Sequence, residues 1–246
     1  MRTISRISAA FQLIDSYGKG AVTGASILVD GGRAPYVAKG DGTYVFSNLP
    51  ATPHTYTITA TGYRPVRRRL PVVPDHLPEV VLMQYEPGAP ALGRISYFHL
   101  RFLEQGVPIK NAAVRVTLTT PVGALRVVEG AEKGAWRVSL AGGYAAGMLY
   151  QYCSSRQEGT EVLITGYDQA AGQFTLQEPL AAPLGAGTLL RPVWNLETDR
   201  DGAAILPAIG LFLQREEVEL SFSWDGREQT LVTAPPSPSL HATVEF

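Results

Sequence analysis

The most constraining stretch of this chain is Gly40-Asp41-Gly42-Thr43-Tyr44-Val45-Phe46-Ser47-Asn48-Leu49-Pro50. Asp-Gly is a turn dipeptide, because glycine accepts the positive φ that a tight reversal demands. After the turn, Tyr44 and Phe46 fall on one face of an extended strand and Val45 on the other. Leu49-Pro50 ends the run. A fainter copy, Asp201-Gly202-Ala203-Ala204-Ile205-Leu206-Pro207, sits far downstream. Each copy reads as the central turn and strand of a small β-sandwich, so the chain is expected to hold two related sandwiches.

The flanking sequence supports the same period. Ala25-Ser26-Ile27-Leu28-Val29-Asp30 reads as a strand closed by Gly31-Gly32. In Thr55-Tyr56-Thr57-Ile58-Thr59-Ala60 the residues Tyr56, Ile58 and Ala60 share one face, with threonine on the other. That alternation is the signature of a half-buried strand. Residues 8–13, 66–73 and 79–84 complete a set of short strands separated by turn residues, the pattern of an all-β sandwich. The 25 Gly and 18 Pro of the chain favour such short strands and tight turns over helices.

Three phrases occur here in order: Thr23-Gly24-Ala25-Ser26-Ile27-Leu28-Val29, then Asp41 through Pro50, then Tyr56-Thr57-Ile58-Thr59-Ala60-Thr61-Gly62-Tyr63. Together they resemble the carboxypeptidase regulatory-like domain over roughly residues 5–85. The resemblance implies a transthyretin-like (prealbumin-like) β-sandwich. It implies no catalytic residues, since such domains serve as accessory, spacer or binding modules.

Glu86-Pro87-Gly88-Ala89-Pro90-Ala91-Leu92-Gly93 is the best linker, because its Pro and Gly residues deny regular strand pairing. Beyond it, Asn111-Ala112-Ala113-Val114-Arg115-Val116 echoes Gly24 through Val29, but the Asp201-Gly202 corner arrives only after a long segment. The expected organisation is therefore a first sandwich over 1–86 and a second split between 94–122 and 197–246. An insert over 123–196 lies between the two halves. Enlargement at an exposed loop is the tolerated way to extend a sandwich. Within the insert, Glu161 to Asp168 and Gln173 to Leu176 read as a hairpin. The series running from Ala146 to Thr188 resembles a small β-barrel found in bacteriophage tail and virion proteins, and that resemblance implies a particle component.

Bulk properties exclude several classes. A formal net charge of -1 argues against electrostatic binding of nucleic acid and against a polybasic membrane-surface role. Cys153 is the single cysteine, so no intramolecular disulfide forms. The first residues show no apolar signal-peptide core, and no window reaches the roughly 20 apolar residues of a membrane span. Synthesis in the cytoplasm without a signal peptide is expected, with incorporation into a virion or phage-tail-like particle as the route outward.

No chemistry-bearing constellation stands out. His54, His76, His99 and His241 are scattered without ligand spacing, and read as surface or strand-face residues. Asp199-Arg200-Asp201-Gly202 begins like a calcium loop but lacks the third oxygen ligand and the closing glutamate, and reads as a β-turn. Ser154 and Ser155 beside Cys153 have no placed base, so Cys153 reads as a small buried hydrophobe. Arg67-Arg68-Arg69 is the one basic run, suited to an exposed edge strand that resists wrong pairing or docks an acidic partner. Tyr144, Tyr150, Tyr152 and Trp136 crowd the insert, with Trp194 beyond; core filling is the first reading and a carbohydrate platform the second.

The expected function is a non-enzymatic structural or adaptor protein of a phage tail or phage-tail-like contractile injection particle. Arg67, Arg68, Arg69, Tyr144, Tyr150 and Tyr152 are its candidate contacts to neighbouring subunits of a homo- or hetero-oligomer. No catalytic residue, cofactor, metal, nucleic-acid partner or membrane insertion is expected. The alternative is a glycan-binding or adhesive β-sandwich module.

Overall fold

The computed structural model describes residues 6–15, 20–71, 78–120, 124–142, 150–154, 161–168, 170–208 and 216–246. The chain divides into two compact units, Met1–Pro90 and Ala91–Phe246. The division falls inside the Pro- and Gly-rich stretch after Tyr85. The described residues form β-structure and one short 3₁₀ turn, Pro90–Arg94. None of the described helices is long and apolar enough to cross a membrane.

The first unit contains β1 (Ile7–Asp15), β2 (Ser26–Val29), β3 (Gly32–Arg33), β4 (Tyr36–Ala38), β5 (Thr43–Ser47), β6 (His54–Thr59), β7 (Val66–Leu70) and β8 (Glu79–Met83). One sheet has the order β4-β5-β1-β8 and the other β3-β2-β6-β7. β1 runs antiparallel to β5 and parallel to β8. Alternation decides which side chains meet. Phe11 and Leu13 of β1, Tyr44 and Phe46 of β5, Ile27 and Val29 of β2, and Tyr56 and Ile58 of β6 form one core between the sheets. Phe11 sits edge-on to Tyr56 at 4.8 Å between ring centroids. Each such fully buried side chain contributes about 1.5–3 kcal/mol of transfer free energy.

The second unit contains β9 (Tyr97–Glu104), β10 (Val107–Pro108), β11 (Ala113–Leu118), β12 (Leu125–Val127), β13 (Arg137–Val138), β14 (Leu140–Gly142) and β15 (Tyr150–Ser154). It continues with β16 (Glu161–Asp168), β17 (Gln173–Leu176), β18 (Leu189–Glu197), β19 (Ala203–Pro207), β20 (Val218–Trp224), β21 (Arg227–Thr233) and β22 (Ser239–Glu245). β9 pairs antiparallel with β19 and parallel with β22, as β1 does with β5 and β8. β11 lies between β18 and β20, and β21 follows β20, as β2 lies between β3 and β6 with β7 beyond.

The two Asp-Gly corners are built alike. Leu13 N donates to Gly42 O at 3.0 Å, and Phe102 N donates to Gly202 O at 2.9 Å. Val22 N donates to Leu13 O at 2.8 Å, and Ile109 N to Phe102 O at 3.0 Å. Gly42 (φ 79°) and Gly202 (φ 74°) adopt left-handed backbone. A Cβ on either would lie 2.7 Å from a carbonyl oxygen of the neighbouring strand, Leu13 O or Phe102 O. Only glycine fits both demands.

Among the described residues no closed barrel is found, and the insert shares a strand with the sheet beside it. β18 pairs with β12 and β15 through its first residues and with β11 through Val193 to Glu197. The insert thus continues into the sandwich sheet, giving one sheet of ten strands. The cores merge for the same reason: Leu125, Val138, Ile164, Leu176 and Leu190 belong to one cluster with Phe102, Val116 and Phe222. The segment from Arg137 to Gly142 pairs with β17 through its first half and with β12 through its second.

Candidate functional site

The basic run lies on β7, at the end of its sheet, opposite Thr57, Tyr56 and Thr55 of β6. Arg67, Arg68 and Arg69 are all exposed. Every second residue of a strand faces the same way, so three consecutive arginines place charge on both faces of this edge. The tyrosine half of the expected contact surface belongs to the other unit. Tyr150 and Tyr152 lie in β15, opposite Ile164 and Val162. Their side chains, together with Tyr144, Ser155, His76 and the side chains of Cys153 and Ser154, lie outside the described residues.

A site that the sequence reading missed is built around His54. Expected on a surface or strand face, His54 is instead 6% exposed at the start of β6. Its Nδ1 meets Asp30 Oδ2 at 2.5 Å and its Nε2 meets Pro50 O at 3.0 Å. Asp30 Oδ1 also accepts from Thr55 N at 2.8 Å. With an oxygen acceptor at each ring nitrogen, the doubly protonated imidazolium is the form that satisfies both contacts. The hydrogen bond to Asp30 accordingly raises the His54 pKa, against the opposing effect of burial. The same bond, with that from Thr55, lowers the pKa of Asp30.

This pair has the outline of a base with its orienting carboxylate, yet the geometry forbids that use. The nitrogen that would accept a nucleophile's proton is occupied by the Pro50 carbonyl. His54 instead ties the loop after β5 and the turn after β2 to the first residue of β6. Neither His54 nor Asp30 carries a signal in local sequence, because the two are brought together by the β2–β6 pairing.

The Asp199 corner is a turn, as its sequence suggests. Asp199 Oδ1 accepts from Asp201 N and Ala203 N, each at 2.8 Å, and so holds the backbone of the turn. Among the described residues no group of three or more His, Cys, Asp or Glu side chains is placed to hold a metal.

The insert carries the most distinctive surface. Trp194 packs against the core cluster as a core-filling aromatic should, but Trp136 is 49% exposed. Tyr167 is also exposed, with its ring centroid 4.8 Å from that of Phe174. Beside it Arg137 pairs with Asp168 at 3.2 Å. Elsewhere on the insert an open groove of about 390 Å³ is lined by Ala124, Arg126, Ala141, Gly142, Leu189 and Arg191. Its lining joins Ala, Gly and Leu residues to two arginines.

Neither family models nor the sequences of curated proteins yield a match to this chain, so its function is read from its own geometry.

Proposed function

We propose that this chain is a non-enzymatic structural or adaptor subunit of a phage tail or phage-tail-like contractile injection particle. The observation that carries the proposal is one scaffold used twice, with its exposed edges and its one large insertion left for neighbours. Polar side chains such as Asp41, Asp199 and His54 serve turns and strand ends. Edge strands β7 and β21 are bare on most of their length. Such edges and loops, held on a packed scaffold, suit assembly with other subunits.

Each unit is read as a transthyretin-like sandwich. Two sheets with, among the described residues, one parallel pair in each unit, β1–β8 and β9–β22, support that reading and the resemblance to the carboxypeptidase regulatory-like domain. The insert is read as a small barrel like those of phage tail and virion proteins, its bent segment from Arg137 to Gly142 linking β17 to β12. The test is to purify intact particles from the source cells and ask by mass spectrometry whether this chain co-sediments with them. Its absence from particles that contain their tube and sheath subunits would sink the reading.

A second reading, a glycan-binding module, is favoured by exposed Trp136 and Tyr167 on the insert. Flat aromatic faces of that kind stack on sugar rings. It predicts binding on a polysaccharide array that is lost in Trp136→Ala, and an array without signal removes it.

A further inference from the structure

Two of the four histidines, far apart in sequence, become neighbours through the parallel pairing of β9 with β22. His99 and His241 are direct partners in that register. Their strand neighbours Phe98 and Leu100 are fully buried, so alternation turns His99 to the outer face of the sheet. His241 is exposed and His99 half-buried. The ring centroids are 4.8 Å apart, with 31° between the planes. The His99 ring makes a hydrogen bond to its own backbone, which leaves its second nitrogen for a ligand.

We propose that His99 and His241 form a two-imidazole clip for a borderline divalent cation, Zn²⁺, Ni²⁺ or Cu²⁺. Imidazole suits these ions, with metal–nitrogen bonds of about 2.0–2.1 Å. Such bonds put each ring centroid about 3.2 Å from the ion. With one nitrogen of each ring turned to a shared ion, a separation of 4.8 Å would correspond to about 100° at the metal, within reach of tetrahedral geometry. The rest of the coordination shell is left to water, because no third His, Cys, Asp or Glu completes the site among the described residues. β22 pairs with no strand but β9 among the described residues, which leaves the pair approachable from the sheet edge.

The surroundings favour a ligand over a cation at His99. Burial, and then the neighbouring His241, lower its pKa. Asp199 opposes that shift and supplies a negative charge that favours a bound cation. From β19 the residue opposite His99 is the aliphatic Ile205, and Arg101 follows two residues on along β9. This clip does not depend on the proposed particle role.

Titration of the untagged full-length chain with NiCl₂ or ZnCl₂ in a calorimeter tests the clip. One ion per chain is expected at neutral pH, and His241→Ala should weaken binding by about tenfold or more. His241 is exposed, so that variant should fold; His99→Gln serves as the second variant. Binding should weaken as pH falls, because protons compete with a metal ion for imidazole nitrogen. With Cu²⁺, electron paramagnetic resonance should show two nitrogen donors in the wild type and one in His241→Ala. Absence of binding, binding unchanged in His241→Ala, or binding removed by Cys153→Ser would each overturn the proposal.

Discussion

The two units solve the same folding problem with different side chains. In the first, the buried hydroxyl of Tyr44 accepts from Ala25 N at 2.9 Å and donates to Val22 O at 3.2 Å, while Tyr36 donates to Ala25 O. In the second, Ala204 stands where Tyr44 does, paired with Leu100 as Tyr44 is with Phe11. Without a tyrosine there, Thr198 takes over. Its Oγ1 accepts from Ala112 N at 3.0 Å and donates to Ala112 O at 3.3 Å. Ala25 and Ala112 both lie just before the strand after the first turn. What the scaffold requires is satisfaction of that strand's first backbone groups, not a particular residue.

The units diverge most beside β2 and β11. β3 has two residues and stops; β18 has nine and carries the insert on its first half. A strand that is already paired along one edge can be lengthened at its free end without disturbing the corner. The Asp-Gly corner, by contrast, tolerates almost nothing, and it is the feature both units keep.

The largest expected effect tests that corner. Gly42→Ala and Gly202→Ala should each destabilise their own unit by more than about 2 kcal/mol, through left-handed strain and a clash with a strand carbonyl. All three tryptophans, Trp136, Trp194 and Trp224, lie in the second unit. Denaturant unfolding followed by tryptophan fluorescence should therefore shift for Gly202→Ala, and by circular dichroism alone for Gly42→Ala. A tolerated alanine at either corner would break the equivalence.

Next come the two solutions to the same backbone need. Tyr44→Phe and Thr198→Val each remove a hydroxyl but little volume, leaving the Ala25 or Ala112 N–H without its partner. A loss of about 1–3 kcal/mol is expected from each, measured as a shift in the unfolding midpoint at constant slope. A neutral Thr198→Val would mean that the second unit meets the need by water.

His54 distinguishes the units by pH. Its folded pKa is raised, so its contribution is fully present below the ordinary value of 6.5 and is lost as pH rises through the raised value. Asp30 works at the acid end: its lowered pKa gives stability that is lost as pH falls below 3.8. Thermal melts of wild type and His54→Asn across neutral to mildly alkaline pH should converge as pH rises. Parallel curves would show that His54 is neutral in the folded chain.

The smallest effect on stability is expected at β7. Replacing Arg67, Arg68 and Arg69 together by threonine should change stability by only about 0.5 kcal/mol per site. It should nevertheless promote concentration-dependent self-association, since the edge loses its charged guard. Sedimentation velocity over a concentration series separates the two outcomes, and a variant that stays as dispersed as the wild type would refute the guarding role.

Much of the scaffold was legible before any coordinates. β16 and β17 span the residues that alternation and the intervening turn marked out, and the buried faces of β5 and β6 are those of Tyr44, Phe46, Tyr56 and Ile58. Those features are written in spacing along one strand, where each side chain's direction follows from its neighbours. Exposure of Arg67 to Arg69 was legible for the same reason. The exposure of Trp136 was not, because an aromatic just before a short strand gives no sign of how far the neighbouring sheet extends over it.

By itself, then, the sequence determined the period, the turns and the repetition of an Asp-Gly corner, all of them consequences of backbone geometry within a few residues. Only the tertiary structure decided that β18 would serve both insert and sandwich. It alone buried His54 against Asp30, gave Thr198 the work of a tyrosine, and set His99 beside His241. Each of those depends on which distant strands pair and in what register, and a one-residue slip in register would turn every side chain of the strand to the opposite face.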